Sequence, residues 1–190
     1  KKVDKKKLCD SYYYKACYLI NKGEYPEAIL LLKKAEELAS QINSSYHQMK
    51  IASSIAYLNE ICGNYDIQLQ YAKRTLAYAL ETKKKKWMAS SYSRISEAFL
   101  FQGKIDSAIA YAEKTNTYIN YVDQKYLPYY LNTIGYAYIN KDNYKAKSFF
   151  EKSLSYKPLT RTFENLAYIY HQEGNEEKAY ELWKQALLTE

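Results

Sequence analysis

The chain has 190 residues and a formal net charge of +7, with 47% hydrophobic and 26% charged residues. A chain of this length buries about 70% of its unfolded surface, enough for one domain or a short solenoid, while 5 Gly and 3 Pro supply too little turn chemistry for an all-β fold. No apolar run approaches the roughly 20 residues of a membrane span, and the Lys-rich start has no signal-peptide stretch.

Apolar residues recur at spacings of three and four, the period of an amphipathic helix. The pattern predicts five helix pairs: 8–22 with 25–41, 46–62 with 65–81, 85–102 with 105–121, 125–140 with 143–155, and 160–173 with 176–188. In the first pair, Lys15 holds a position that becomes Ile55, Ile95, Ile134 and Leu166 later, as an exposed capping unit tolerates. Gly23, Gly63 and Gly103 stand forty residues apart, and Gly174 falls at the same place in the last pair. Each Gly is expected to end a first helix in a left-handed cap, with Glu24, Asp66, Asp106 and Glu176 placed to suit the dipole of the second. The Lys83 to Lys86 run lies between the second and third pairs near a helix C-terminus, where positive charge favours the helix itself. No nucleic acid is therefore expected as a partner. The fourth pair is one residue short around Asp142 to Ala146, and Pro158 ends its second helix. The last helix carries Trp183, Leu187 and Leu188 with nothing following to cover them, so either the chain continues or this end associates, for example with a second copy.

These units resemble the tetratricopeptide repeat family, which keeps small residues where paired helices touch and bulky ones between them. The last unit shows Phe163, Leu166, Ala167, Tyr170, Gly174, Ala179, Trp183 and Ala186 at the family's spacings; the first shows Tyr12, Ala16, Leu19, Gly23, Tyr25, Ala28, Leu32 and Ala35. The resemblance implies an all-α fold, a right-handed α-solenoid of stacked antiparallel hairpins. One solenoid domain is expected over 1–190, with repeats at about 8–45, 46–84, 85–124, 125–159 and 160–190. Ala16, Ala56, Ser96, Gly135 and Ala167 take the close-crossing positions. Gln68, Thr75 and Thr115 replace the usual Ala, and the forty-residue spacing exceeds the family's usual 34, which calls for longer helices or connections.

No nucleophile–base pair, phosphate loop or metal-ligand spacing is present, so no enzyme, cofactor or metal is expected. His47 and His171 are expected at the surface or in the groove, and Cys9, Cys17 and Cys62 as buried free thiols. The 24 Tyr are the compositional outlier. Tyr12, Tyr25, Tyr65, Tyr92, Tyr138, Tyr144 and Tyr170 fall on bulky core positions of the family. The concave face of the first helices should carry Tyr13, Tyr57, Glu97, Asn132, Tyr136 and Tyr168, with Asn21, Glu60, Asn140, Arg161 and His171 as further polar groups. Tyr suits recognition because it offers amphipathic area with few rotamers to lose. Chaperone-binding members of the family hold a terminal carboxylate with Lys and Asn, where this chain has Tyr13 and Cys17, then Ser53 and Tyr57. The expected function is a protein- or peptide-binding scaffold. The alternative is a sensory or regulatory arm of a bacterial transcription regulator or peptide-responsive receptor, whose DNA-binding or membrane segment lies outside the chain. A Lys-, Tyr- and Asn-rich composition points to an AT-rich bacterial genome. Because residue 1 is not Met, the chain is expected to be an excised or processed segment, cytoplasmic or, with a signal or anchor removed upstream, periplasmic or membrane-associated.

Overall fold

The computed structural model describes residues 4–189. Among the described residues, ten α-helices follow one another in antiparallel hairpins: α1 (Lys5–Lys22) with α2 (Tyr25–Gln41), α3 (Ser45–Ile61) with α4 (Tyr65–Glu81), α5 (Lys85–Phe101) with α6 (Ile105–Thr117), α7 (Leu127–Tyr138) with α8 (Asn143–Tyr156), and α9 (Thr160–Gln172) with α10 (Glu176–Leu187). Each second helix also packs on the first helix of the next pair, which makes the stack a solenoid. Helices α2 to α5 have 17 residues each, whereas α7 to α10 have 12 to 14. The forty-residue spacing thus comes from longer helices joined by short turns.

The third pair ends differently from the expected 105–121. Helix α6 stops at Thr117, and two single-turn 3₁₀ helices (Ile119–Tyr121 and Gln124–Tyr126) lead into α7. Thr115 and Thr117 bond back to the carbonyls of Tyr111 and Glu113, a competition with the helix ladder that β-branched hydroxyl residues bring. Ile119 and Val122 then bury their side chains, and Val122 and Asp123 run extended. Lys86 pairs with Asp123, and Lys85 donates to the Tyr121 hydroxyl at 2.9 Å, so this connection is pinned to the start of α5.

The crossing positions are buried as small residues require. Gly135 shows the closest approach: a Cβ there would lie 2.7 Å from the Phe150 ring on α8. Ser96 keeps its hydroxyl satisfied by donating to the Ala108 carbonyl at 2.8 Å. Gln68 is fully buried and its Nε2 reaches the Arg94 carbonyl at 3.4 Å, while Thr75 bonds back to Tyr71 at 2.9 Å. The donors of these polar substitutes are thus spent locally or on the neighbouring helix, whereas Gln68 Oε1 is buried without a partner.

Turn chemistry explains the one misplaced core Tyr. Gly23 sits at φ 79°, and its N–H bonds the Ile20 carbonyl, leaving Tyr25 as the first residue of α2. In the fourth pair Asn140 takes the left-handed position at φ 65°, its N–H donating to Asn143 Oδ1 at 2.9 Å. Asp142 then caps α8 by accepting from the Lys145 N–H. Asn143 becomes the first helical residue and Ala146 the fourth, matching Tyr25 and Ala28, so Tyr144 is turned by one residue and is 83% exposed. Asn140 is thus a turn residue rather than a groove residue. Tyr92 and Tyr138 are buried, and Tyr12, Tyr25, Tyr65 and Tyr170 are half-buried.

Two further expectations need correction. Cys9 is buried, its Sγ 3.3 Å from the Ala35 carbonyl, but Cys17 is only partly covered and Cys62, just past the end of α3, is exposed. His47 is buried at the start of α3, where Ser44 Oγ lies 2.6 Å from Nδ1 and Asp10 lies 3.3 Å from Nε2. Lys15 is exposed and pairs with Glu27 at 2.9 Å, while Ile55, Ile95, Ile134 and Leu166 are buried.

Candidate functional site

All five first helices turn toward a common hollow. It has a volume of about 930 Å³ and is open to solvent along one side. Helix α5 supplies one wall through Lys86, Trp87, Ser90, Ser93, Arg94 and Glu97; α3 adds Tyr57 and Glu60, and α1 adds Asn21. The opposite wall is Tyr126 before α7, then Tyr129, Tyr130, Asn132 and Thr133 on it, closed by Leu159, Thr160 and Arg161 at the start of α9. The helical period produces this convergence: Ser90, Ser93, Arg94 and Glu97 are spaced by three and four along α5 and share one face.

Charge in the hollow is organised around α5. Arg94 forms a close ion pair with Glu60 and lies over the Tyr57 ring, 5.1 Å from its centre. The Arg94 Nε is buried without a hydrogen-bond partner. Glu97, one turn further along, is only 13% exposed, and Arg161 approaches it at 3.7 Å. No donor among the described residues hydrogen-bonds the Glu97 carboxylate. Burial, reinforced by the nearby Glu60 charge, pushes its pKa up to about 7, with Arg94 and Arg161 pulling it back. Asn132 is buried, its Oδ1 accepting from Thr162 at 3.0 Å and Asn165 at 3.2 Å. The carbonyl end of this amide is thus spent on α9, and the amide nitrogen is the group left over.

Of the residues expected to share the concave face, Tyr57, Glu97 and Asn132 line the hollow, together with Asn21, Glu60 and Arg161. Tyr13 does not. It is half-buried against the first core cluster, where burial pushes its hydroxyl up to about 12. Tyr136 and Tyr168 are about 40% exposed and lie beyond the lining residues. His171 sits at the end of α9, 2.8 Å from Glu176 and against the Trp183 ring at 5.8 Å, so it belongs to the last turn. Sequence reasoning did not single out Arg94, Trp87, Tyr129 or Tyr130. The spacing of Arg94 three residues before Glu97 carried that signal, whereas the Tyr126 to Tyr130 wall depends on where the α6–α7 connection docks.

The profile described as tetratricopeptide repeat matches residues 128–158 and 160–188, the two hairpins with the shorter helices. These two hairpins are tetratricopeptide repeats. Among solved structures, the chain superposes on RapI in its apo form with a TM-score of 0.78 at 16% identity, over 95% of this chain and 69% of that one. BtubC from P. vanneervenii gives a TM-score of 0.73 at 19% identity, over 92% of this chain and 76% of that one. A Rap protein complexed with competence and sporulation factor gives 0.79 at 15% identity; 94% of this chain covers 52% of that one. At these identities the likeness is one of fold. No curated protein matches the repeat sequence significantly.

Among the described residues, no three or more His, Cys, Asp or Glu side chains come together as a metal site, and no helix is long and apolar enough to cross a membrane.

Proposed function

We propose that this chain is a non-catalytic interaction module that holds a peptide or an extended protein segment in the hollow of its concave face. The observation that carries this reading is the convergence of side chains from all five first helices on one space of about 930 Å³, within the range of recognition pockets. Its walls combine ring faces with amide, hydroxyl and guanidinium groups, which suits a guest with both apolar side chains and a hydrogen-bonding backbone. A chain of like fold, a Rap protein, is complexed with competence and sporulation factor, which agrees with a partner-binding role for this fold. Panning a displayed random-peptide library against the chain tests the proposal. Selected peptides should lose at least tenfold in affinity to a Tyr57→Ala, Tyr129→Ala double variant, and unchanged affinity would remove the hollow as the site.

We propose a second contact surface at the outer edge of α10. Tyr180, Leu187 and Leu188 are 70%, 76% and 77% exposed there, beside the half-covered Trp183. A second copy of the chain is the occupant to test. Light scattering at rising concentration should show a dimer that Leu187→Ser with Leu188→Ser abolishes; a monomer throughout would sink the idea.

A further inference from the structure

The charges in the hollow are unequally satisfied. Glu60 and Arg94 neutralise each other at close range, and Lys86 is engaged by Asp123. Glu97 is different: nearly buried, it receives no hydrogen bond from the described residues, and its neighbour Arg161 stands off at 3.7 Å with 70% of its side chain in solvent. A largely covered carboxylate whose one protein partner is a long ion pair is poorly compensated, and a cationic donor brought in by a guest improves on it. Trp87 marks the other end. Trp87 precedes Glu97 by ten residues on α5, about 15 Å along the helix axis, and Tyr126, Tyr129 and Tyr130 line the hollow together with it.

We propose that the guest of this hollow is a short peptide with a basic side chain that pairs with Glu97 and an aromatic or aliphatic side chain some four residues away against Trp87 and Tyr129. Four to five extended residues cover the roughly 15 Å between the two ends. The proposal rests on the peptide-holding reading of the hollow and adds the guest's chemistry. An acidic guest is disfavoured because its charge would oppose that of ionised Glu97, while Arg94 and Lys86 are already engaged by Glu60 and Asp123 and Arg161 is largely hydrated. Because the Glu97 pKa is raised to about 7, the group is partly protonated at pH 7, and pairing with a basic guest should release that fraction of a proton.

The test uses end-capped hexapeptide pools, randomised except for one position fixed as Arg, Glu or Leu. They are titrated against the chain carrying Trp183→Phe, so that Trp87 alone reports by fluorescence. The Arg pools should bind best, and Glu97→Gln should weaken them at least tenfold while leaving the Leu pools within twofold. Calorimetry of the best Arg pool at pH 7 in two buffers of different ionisation heat should show proton release that vanishes in Glu97→Gln. Preferred binding of the Glu pools, or Arg-pool affinity indifferent to Glu97→Gln, overturns the basic-guest assignment and leaves the hollow as a peptide site. No response from any pool overturns both.

Discussion

Glu97 on α5 and Arg161 on the first turn of α9 lie 3.7 Å apart, so one ion pair reaches from the third hairpin to the fifth past the fourth. In a stack whose main helix contacts run between neighbours, this link ties the two walls of the hollow together. Arg161 is mostly in solvent, which limits the contribution of the pair to about 0.2–1 kcal/mol. Arg161→Ala should therefore lower stability by less than about 1 kcal/mol while moving the Glu97 titration upward from about 7, since a charge that favours the ionised form has gone. NMR titration of the Glu97 side chain, with a parallel thermal melt, separates the two effects.

The pH dependence of stability follows from the same carboxyl. Its pKa in the fold is raised from the ordinary 4.5 to about 7, so the folded chain holds a proton that the unfolded chain has released. Stability from this group is greatest below pH 4.5 and falls as pH rises through 7, by about 3 kcal/mol at full ionisation. Glu97→Gln should remove that fall. Urea unfolding at pH 6 and pH 8 should show a loss in the parent chain that the variant lacks, and equal losses would show that Glu97 ionises freely.

Gly135→Ala places a methyl group 2.7 Å from the Phe150 ring. Overpacking of this kind costs about 1–3 kcal/mol, read as a lowered urea midpoint with the slope unchanged. Adding Phe150→Leu should recover part of the loss, because the leucine frees the space the methyl needs. No recovery would place the cost elsewhere than in that contact.

Thiol chemistry should divide the three cysteines. Cys62 is exposed, whereas Cys9 is buried and its thiol pKa is raised, by burial first and by Asp10 second. A colorimetric thiol reagent at pH 8 should modify Cys62 quickly and leave Cys9 until the chain unfolds. Rapid modification of Cys9 in a Cys62→Ser variant would contradict its burial.

Periodicity and turn residues made the hairpins legible, because a left-handed Gly and an alternation of large and small residues are local signals. Lys15 announced its exposure in the same way, by standing where the other units carry Ile or Leu. Tyr144 was misread because its place depends on which residue takes the positive φ: with Asn140 doing so, the helix begins at Asn143 and the tyrosine turns outward. The hollow was legible only in part. Tyr57, Glu97 and Asn132 follow from the face each first helix presents, but Tyr126 and Tyr129 reach it through a connection whose path is set by buried Ile119 and Val122 and by Lys85 and Lys86, more than thirty residues earlier. The burial that perturbs Glu97 is likewise a tertiary property that no spacing encodes.

The solenoid is assembled in two gauges. Helices α2 to α5, each 17 residues long, extend about 25 Å, and α7 to α10, with 12 to 14, about 18–21 Å. A unit copied or exchanged within its own half meets neighbours of its own length. The change falls inside the third hairpin, where α5 has 17 residues and α6 has 13, so a whole unit moved across it leaves about one turn of helix with nothing to lie against.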